Sequence, residues 1–347
     1  MGGSIVRALR NSPDNFHISA FDISDATDKA LTMNLIDEKL NDISESLNSD
    51  LIFICLPVDN SIEVFEQLAD KLSENQIITD VCSVKSLFQE IWDKKKRKGY
   101  YIGGHPMTGK EKGEFDNSDP LLYENCTYIL NDNSNAFPMI DLFTELIHKL
   151  GARITYLNPK VHDIIVASVS HLPQLVSVSL INSASLKDSE LNFFDYAAGG
   201  FRDMTRIASS DFCMWEPIIR MNAKNIVQAI DNFIYDLEML KNSILNRNMD
   251  FISERFESAR VKRDEIPKSN KGFINAIFDL YVYVKDQPGA LSKITTALYE
   301  ARINIKDIEL LKIRAGSGGT FRIAFETQKD AGKAKIVIEQ TGFVIKV

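Results

Sequence analysis

The sequence predicts three consecutive domains: a doubly wound α/β domain, an all-helical domain and a small βαββαβ domain. Three observations predict them. Residues 1–157 alternate short apolar runs with helical patterns, residues 158–266 show long helical periodicity without strand patterns, and residues 277–347 follow a strand–helix–strand–strand–helix–strand order. Residues 267–276 have the composition of a linker. A chain of 347 residues is long enough for two or three separate cores.

The strands of the first domain are predicted from nearly continuous apolar runs, which are typical of parallel strands covered on both faces. Strand–helix alternation of this kind predicts a doubly wound, Rossmann-like sheet. The predicted strands are 17–22, 51–56, 77–81, 127–130 and 152–157, and helical patterns between them include 62–72 and 137–150.

The start of the sequence matches only the later part of a dinucleotide-binding unit. A dinucleotide-binding unit opens with a strand, Gly-x-Gly-x-x-Gly and a helix, whereas this chain begins Met1-Gly2-Gly3-Ser4-Ile5, which matches only the last glycine and the helix. We therefore expect the first strand to be missing: either the natural start lies upstream or cofactor binding is impaired. Asp22 ends the next predicted strand, where an acidic residue accepts the ribose hydroxyls of NAD and disfavours NADP. A turn or N-cap role is the alternative for Asp22.

The other two domains are predicted from helical periodicity and element order. In the helical domain, 222–240 places apolar side chains on one face, which could bury a partner subunit or close a self-contained bundle. In the last domain, the predicted strands are 279–285, 304–314, 320–327 and 343–347, and the predicted helices are 290–301 and 329–341. This order is the ferredoxin-like arrangement.

Composition excludes several classes of protein. The net charge of −8 argues against a nucleic-acid surface, which needs clustered Lys and Arg. The four cysteines, at 55, 82, 126 and 213, lack metal-site spacing, so no metal is expected. No apolar run reaches the roughly 18 residues of a membrane span, and no signal peptide is visible. We expect a cytoplasmic protein that acts neither on nucleic acid nor at a membrane.

Three segments carry the chemical content of the sequence. The first, 80–85 (Asp-Val-Cys-Ser-Val-Lys), ends a predicted strand, where ligands bind in such sheets. The second, 101–113, is a glycine-rich stretch around His105, which could accept a proton at neutral pH or simply be a hydrogen-bonded loop histidine. The third is split between 168–173 (Ser-Val-Ser-His-Leu-Pro) and 198–207, where Gly199 and Gly200 precede Arg202 and Arg206. Such arginines can clamp a carboxylate.

Together these segments resemble the prephenate/arogenate dehydrogenase family of tyrosine biosynthesis. The matching motifs are Gly-Gly-His-Pro-Met-x-Gly-x-Glu, Ser-His-Leu-Pro and Gly-Gly-Phe-x-Asp-x-Thr-Arg-Ile-Ala, in the family's order from Met1 to the linker. The last domain resembles an ACT domain, an amino-acid-sensing module, on its turn Asp286-Gln287-Pro288-Gly289. The resemblance implies a homodimeric enzyme with NAD as cofactor.

The resemblance also implies roles for individual residues. His105 matches the catalytic histidine that engages the ring hydroxyl, Ser83 a serine that bonds that hydroxyl or orients the histidine, and Arg206 the arginine that binds a substrate carboxylate. A strand-end cap is the alternative for Ser83, and a surface ion pair is the alternative for Arg206.

The remaining matches concern the rim of the pocket and the cofactor. His171 matches a second histidine lining the pocket and Glu111 an acidic residue at its mouth. A satisfied core histidine and a solvated loop charge are their alternatives. Gly2 and Asp22 match the cofactor turn and the ribose acceptor.

The resemblance implies NAD-dependent oxidative decarboxylation of prephenate to 4-hydroxyphenylpyruvate, or the same reaction of arogenate. We expect tyrosine or a related amino acid to bind the last domain near Pro288, Gly289 and Asn304 and to regulate the enzyme; a purely structural or dimerisation role for that domain is the alternative. Two other readings stay open: a non-catalytic amino-acid-binding protein, if the start at Met1 is real, and a dehydrogenase of simpler hydroxy acids.

Overall fold

The structure is a computed structural model that describes residues 1–109, 113–184, 187–188, 191–265, 278–285, 287–314 and 318–346. The chain forms two compact units, Met1–Phe256 and Glu257–Val347. The predicted linker at 267–276 lies outside the described residues. The first unit contains both the α/β part and most of the helical part of the chain.

A five-stranded sheet organises the first part of unit one. Its strands are β3 (Leu51–Ile54), β4 (Ile77–Asp80), β5 (Tyr100–Pro106), β6 (Thr127–Asn131) and β7 (Arg153–Leu157), side by side in that order. The neighbours are parallel except β5 and β6, which run antiparallel with His105 opposite Ile129. Two predictions are therefore wrong here. Residues 101–106, expected in a glycine-rich loop around His105, belong to strand β5, and the parallel direction expected for the sheet fails at β5–β6, because periodicity reports burial and not strand direction.

A second, two-stranded sheet precedes it in the chain. β1 (Ser19–Ala20) pairs in parallel with β2 (Glu38–Lys39), and among the described residues neither strand is bonded to the five-stranded sheet. The predicted strand 17–22 is therefore reduced to two residues. The first described element is a helix, α1, which begins at Gly2.

Helices cover both faces of the five-stranded sheet, which confirms the Rossmann-like prediction. One core joins Tyr128 and Leu130 to Phe143 of α5, and a second joins Ile78 to Phe65 of α3 and Phe88 of α4. The helices are α1 (Gly2–Arg10), α2 (Ala26–Thr32), α3 (Val58–Ala69), α4 (Ser86–Asp93) and α5 (Ile140–Lys149).

The rest of unit one is helical, as predicted. Its helices are α6 (Pro159–Val166), α7 (Leu172–Ser183), α8 (Gly199–Thr205), α9 (Phe212–Met221), α10 (Ala223–Leu245) and α11 (Met249–Glu265), the last of which runs into unit two. The structure adds a short antiparallel pair, β8 (Lys187–Asp188) with β9 (Leu191–Asn192). One π-helical turn, Ala167–His171, joins α6 to α7.

The continuous helix Pro159–Ser183 is an exception to the prediction that no apolar segment is long enough to span a membrane. With 25 residues and a mean hydropathy of 1.8, it is long and apolar enough to span a membrane by length and composition. That criterion alone is weak, because core helices of other proteins meet it. Here His162, Asp163, His171 and Gln174 are buried polar residues of the same helix, and they bond to other parts of unit one. We therefore interpret its polar side as packed against the rest of unit one, while Val161, Ile164 and Val169 on its other side are exposed.

Unit two has a four-stranded antiparallel sheet in the order β11–β12–β10–β13, the ferredoxin-like order that the sequence predicts. Val282 and Phe325 of the sheet pack against Ile294 and Leu298 of α12 and Ile338 of α13. The elements are β10 (Phe278–Val284), α12 (Ala290–Glu300), β11 (Asp307–Arg314), β12 (Gly318–Phe325), α13 (Gln328–Gln340) and β13 (Val344–Lys346).

Candidate active site

The carboxyl end of β4 carries a buried ion pair. Asp80, the last residue of this strand, bonds through Oδ1 to the Lys85 ammonium, and both side chains are fully buried. Its other oxygen, Oδ2, accepts a hydrogen bond of 2.9 Å from the Tyr101 hydroxyl, and Oδ1 also accepts the backbone N–H of Cys82 at 2.9 Å. Because Cys82 and Lys85 belong to the turn and Tyr101 to the adjacent strand β5, the network fixes the turn 81–85 against the sheet.

His105 lies on the next strand, β5, near its carboxyl end. Gly104 brings this strand close to β4: a Cβ added there would meet the Asp80 carbonyl oxygen at 2.8 Å and the Tyr128 ring at 2.9 Å. The glycine therefore serves close packing of strands. The His105 ring is half-buried, so it sits beside the β4 turn and can still be reached by a small molecule.

A chain of hydrogen bonds links His105 to the helical part of the unit. His105 Nδ1 lies 2.8 Å from His162 Nε2, and His162 Nδ1 lies 2.8 Å from Asp163 Oδ1. Asp163 in turn accepts the backbone N–H groups of Lys85 at 2.8 Å and Ser86 at 2.9 Å, at the start of α4. A carboxylate at a helix N-terminus is favourable, and here it fastens α6 to α4 beside the site.

The π-helical turn presents His171 to the same region. A π turn inside an α-helix is often found at functional sites. Asn222 donates to the Asp163 carbonyl at 2.8 Å and lies 3.3 Å from His171 Nδ1, while Trp215 packs edge-on against the His171 ring at 6.0 Å. Among the described residues, His171 Nε2 is buried and has no hydrogen-bond partner. Buried polar atoms are rarely left unpaired, so this atom is a candidate to contact a ligand.

Burial controls the protonation of the three histidines. It lowers the pKa of His105 well below its usual range, and the neighbouring His162, Lys85 and His171 lower it further. Burial likewise lowers the pKa of His162, and it lowers the pKa of His171 to about 4. The pKa of Asp163 is lowered: burial raises it, but the hydrogen bonds that it accepts from His162, Ser86 and Lys85 outweigh burial. At neutral pH the site thus holds neutral imidazoles and a carboxylate.

These shifts predict that acid destabilises unit one. In the unfolded chain histidines bind protons below about pH 6.5, whereas folded His171 stays neutral down to about pH 4. The unfolded state binds more protons in this window, so the free energy of unfolding falls as the pH falls, by about 3 kcal/mol from His171 alone. Urea unfolding at several pH values between 7 and 4 measures this dependence of stability on pH. The His171→Gln variant should show a shallower pH dependence; an unchanged slope would exclude this explanation.

The other residues predicted for this site are placed as follows. Ser83 is half-buried in the turn 81–85, between the two residues of the ion pair in the chain. Arg206 is exposed and opens the 3-10 turn Arg206–Ser209. Buried Gln174 of α7 donates to the Ile207 carbonyl at 2.9 Å, so this turn is held against the helix that follows His171. Glu111 lies outside the described residues.

The two cofactor candidates lie at the edge of unit one that a dinucleotide would need. Gly2 starts α1 against the carboxyl end of β3: a Cβ there would meet the Cys55 Cβ at 3.2 Å. A helix N-terminus with glycines at this edge fits the diphosphate of NAD. Asp22 follows β1, and its Oδ1 accepts the Ser24 N–H at 2.8 Å and the Ser24 hydroxyl at 2.7 Å. These bonds form the local turn that was considered as the alternative role for Asp22. They are compatible with a ribose acceptor as well, because a carboxylate accepts several hydrogen bonds, so the residues present fit NAD.

Unit two has its own cavity, of about 260 Å³, between the start of α12 and the sheet. Gly289 lies in its wall and begins α12 in the left-handed conformation, with φ of +84°, which favours glycine. Of the other regulatory candidates, Pro288 precedes it in the same turn and Asn304 is exposed ahead of β11. Further wall residues are Val284, Gln287, Leu291, Ser292, Leu310 and Phe321.

Sequence reasoning missed several residues of the site. Neither His162 nor Asp163 was singled out, nor were Lys85 as half of a buried pair and Asn222 as a link between helices. The available signal was the polar pair His162-Asp163 inside an apolar helical stretch, where Ile164 and Ile165 follow directly. Buried charged residues are usually paired, so such a pair indicates a specific partner.

Three family models match the chain in order. They are the nucleotide-binding domain of prephenate dehydrogenase over residues 5–156, the dimerization domain of prephenate dehydrogenase over 158–258, and the ACT domain over 278–338. Of the two compact units, the first thus contains nearly all of the two dehydrogenase matches and the second contains the ACT match.

Several known proteins are similar to this chain over most of its length. The prephenate dehydrogenase of Bacillus subtilis is 32% identical over 345 residues, which cover 98% of this chain and 93% of that protein. The crystal structure of prephenate dehydrogenase from A. aeolicus in complex with hydroxyphenyl propionate and NAD+ has a TM-score of 0.69 and 32% identity, covering 77% of this chain and 95% of that one. Synechocystis arogenate dehydrogenase has a TM-score of 0.66 and 25% identity, covering 77% of this chain and 96% of that one.

Proposed function

Because the chain belongs to the prephenate dehydrogenase family, we propose that it oxidises prephenate with NAD+ and releases 4-hydroxyphenylpyruvate and CO2. The observation that carries this proposal is the half-buried His105 with its second nitrogen bonded to His162. Such a ring has one nitrogen left for a substrate hydroxyl. Arogenate, which would give tyrosine by the same chemistry, is the second candidate, favoured by the similarity to the Synechocystis enzyme.

The cofactor and the side chains of the protein are proposed to have separate roles in the reaction. When bound, NAD+ accepts hydride from the ring carbon that carries the hydroxyl. His105 takes the hydroxyl proton as that carbon becomes a carbonyl, and Ser83 in the adjacent turn is proposed to bond the same oxygen. Cleavage of the carbon–carboxylate bond then releases CO2 and makes the ring aromatic, and the phenolate oxygen regains a proton from His105. The reaction therefore needs no separate acid.

His171 and Arg206 are proposed to hold the substrate. Asn222 donates to His171 Nδ1, so the proton of this neutral imidazole lies on Nε2, the buried atom without a partner among the described residues. That N–H suits a substrate oxygen. Arg206 is proposed to bind a carboxylate at the rim, because guanidinium and carboxylate match in geometry. Glu111 remains a candidate for the pocket mouth.

The proposal for Arg206 predicts a binding defect. In the Arg206→Gln variant, KM for prephenate should rise by about tenfold or more, because a hydrogen bond to a charged partner contributes about 1.5–3 kcal/mol. The matched control is Arg202→Gln, one helical turn earlier and also exposed. Steady-state kinetics at saturating NAD+ give both values. Equal KM values for the two variants would contradict a clamp at Arg206.

The test of the function is an assay of NAD+ reduction with prephenate and, in parallel, with arogenate. We expect NADH to form with prephenate and the organic product to be 4-hydroxyphenylpyruvate. A preference for arogenate would transfer the proposal to the second candidate. No NADH with either substrate, together with no NAD+ binding by calorimetry, would support a non-catalytic protein instead.

The cavity of unit two is proposed to bind tyrosine or a related amino acid as a regulator. Its position at the turn Gln287–Gly289 before α12 offers backbone N–H groups to a carboxylate. Filling it with Ser292→Phe should abolish the effect of tyrosine on activity while leaving activity without tyrosine unchanged; Lys293→Phe, on the same helix but not in the wall, is the control. Tyrosine titrations of both variants and the parent check this. A full tyrosine response in Ser292→Phe would exclude this cavity.

We also propose a homodimer in the cytoplasm. α10 exposes Val227, Ile234, Tyr235, Leu237 and Leu245, and it lies in the part of the chain that matches a dimerization domain. An exposed apolar face of this kind commonly marks a protein interface. The four cysteines are free thiols, which suits a reducing compartment. Sedimentation equilibrium gives the oligomeric state directly.

A further inference from the structure

We propose that His162 and Asp163 are positioning residues, which hold His105 in the tautomer whose Nε2 lone pair faces the substrate hydroxyl. The inference rests on the proposed role of His105 as the base, and it adds how this base is prepared. Neither residue needs to touch the substrate.

Asp163 fixes the first proton. Its two oxygens accept the N–H groups of Lys85 and Ser86, donors that cannot accept in return. The carboxylate is therefore an acceptor toward all its neighbours. Its contact with His162 Nδ1, at 2.8 Å, then requires that His162 carry its proton on Nδ1.

His162 fixes the second proton. This ring is fully buried, so water does not compete for its nitrogens. With the proton on Nδ1, the neutral ring has only a lone pair on Nε2, and that atom lies 2.8 Å from His105 Nδ1. The two rings meet at an interplanar angle of 72°, which is compatible with a hydrogen bond between their nitrogens. His105 must donate from Nδ1, and so its Nε2 is left without a proton.

Two consequences follow for the reaction. The lone pair of His105 is available before substrate arrives, so no rearrangement of protons precedes the transfer. When His105 takes the substrate proton, its positive charge is bonded through His162 to the Asp163 carboxylate, which stabilises that charge. A third residue that orients the base is a recurring arrangement in nucleophilic catalysis, and here it would serve a hydride transfer.

Two substitutions of His162 separate positioning from packing. An asparagine amide reaches the place of Nδ1 and can keep the bond to Asp163, but it is too short to meet His105. A glutamine amide reaches the place of Nε2 and can accept from His105 Nδ1. We expect His162→Asn to lower kcat by about tenfold or more, with KM within about twofold, and His162→Gln to stay within about threefold of the parent. Equal kcat values for the two variants would overturn the proposal.

Nitrogen NMR of the imidazole rings shows which nitrogen of each histidine carries the proton, and it does not depend on an assay of activity. The chain has five histidines, so histidine-labelled protein gives few signals, and single substitutions assign them. In the free enzyme we expect His105 and His162 both to be protonated on Nδ1. In Asp163→Ala no carboxylate accepts from His162 Nδ1, so the tautomers of His162 and His105 should no longer be fixed, and kcat should fall with that loss. His105 protonated on Nε2 in the parent protein would overturn the proposal.

The same experiments distinguish this inference from the proposed function. If neither prephenate nor arogenate is oxidised, the function fails, while the NMR result still decides which nitrogen of His105 carries the proton. If prephenate is oxidised and His162→Asn keeps full activity, the function stands and the positioning role fails.

Discussion

The His105→Asn enzyme should oxidise prephenate about 10²–10⁴-fold more slowly than the parent, which is the usual contribution of a general base. Asparagine has no nitrogen lone pair to take the hydroxyl proton, and it is too short to present a group where Nε2 lies. The effect should fall on kcat, with KM nearly unchanged, because the proposed carboxylate clamp at Arg206 is untouched. Initial rates of NADH formation at saturating NAD+ measure both constants.

The control for this prediction is His148→Asn, which removes an exposed histidine at the end of α5. It should retain the parent's kcat. Unfolding in urea should be compared as well, since His105 is bonded to His162 and its loss could loosen the site. A His105→Asn enzyme with parental kcat would remove this residue from the mechanism.

Substitution of Lys85 by methionine should destabilise unit one by about 3–5 kcal/mol, because it leaves the Asp80 carboxylate buried without its countercharge. Both partners are fully buried, and Met is close to Lys in length, so the change removes charge more than volume. Urea unfolding followed by tryptophan fluorescence suits the measurement: the chain has two tryptophans, Trp92 and Trp215, and both pack against the core of unit one.

Two controls make the result specific. Lys95→Met breaks an ion pair with Asp70 at the surface, and it should change stability by less than about 1 kcal/mol. The double variant Asp80→Asn with Lys85→Met should recover part of the lost stability, because no unpaired charge remains. An unfolding midpoint for Lys85→Met equal to that of Lys95→Met would contradict the prediction.

Patterns formed by residues close together in the sequence predicted much of the fold of this protein. The near-continuous apolar runs Leu51–Ile54 and Ile77–Asp80 are strands, and both lie in a sheet covered on two faces. The strand–helix order after residue 277 predicted the antiparallel sheet of unit two with its strand order, because few connections satisfy that order. His105 could be singled out from its neighbouring glycines and from the resemblance of its motif.

Contacts between distant segments could not be predicted in this way. Strand β5 was not predicted, because Gly103 and Gly104 made its sequence resemble a loop, and so the antiparallel pair β5–β6 was missed as well. His162 lies 57 positions after His105, and no periodicity connects them. Helix ends were also displaced: α3 begins at Val58 because Pro57 starts it, ahead of the predicted 62.

The link between Asp163 and the first turn of α4 has a consequence for how the enzyme can open. The proposed base, His105, lies on strand β5, whereas His162 and Asp163, which are proposed to orient it, lie on α6, the first helix of the helical part of unit one. Separation of these two parts would break the hydrogen bond between His105 and His162 in every catalytic cycle. We therefore expect substrate to enter and product to leave without separation of these two parts of unit one.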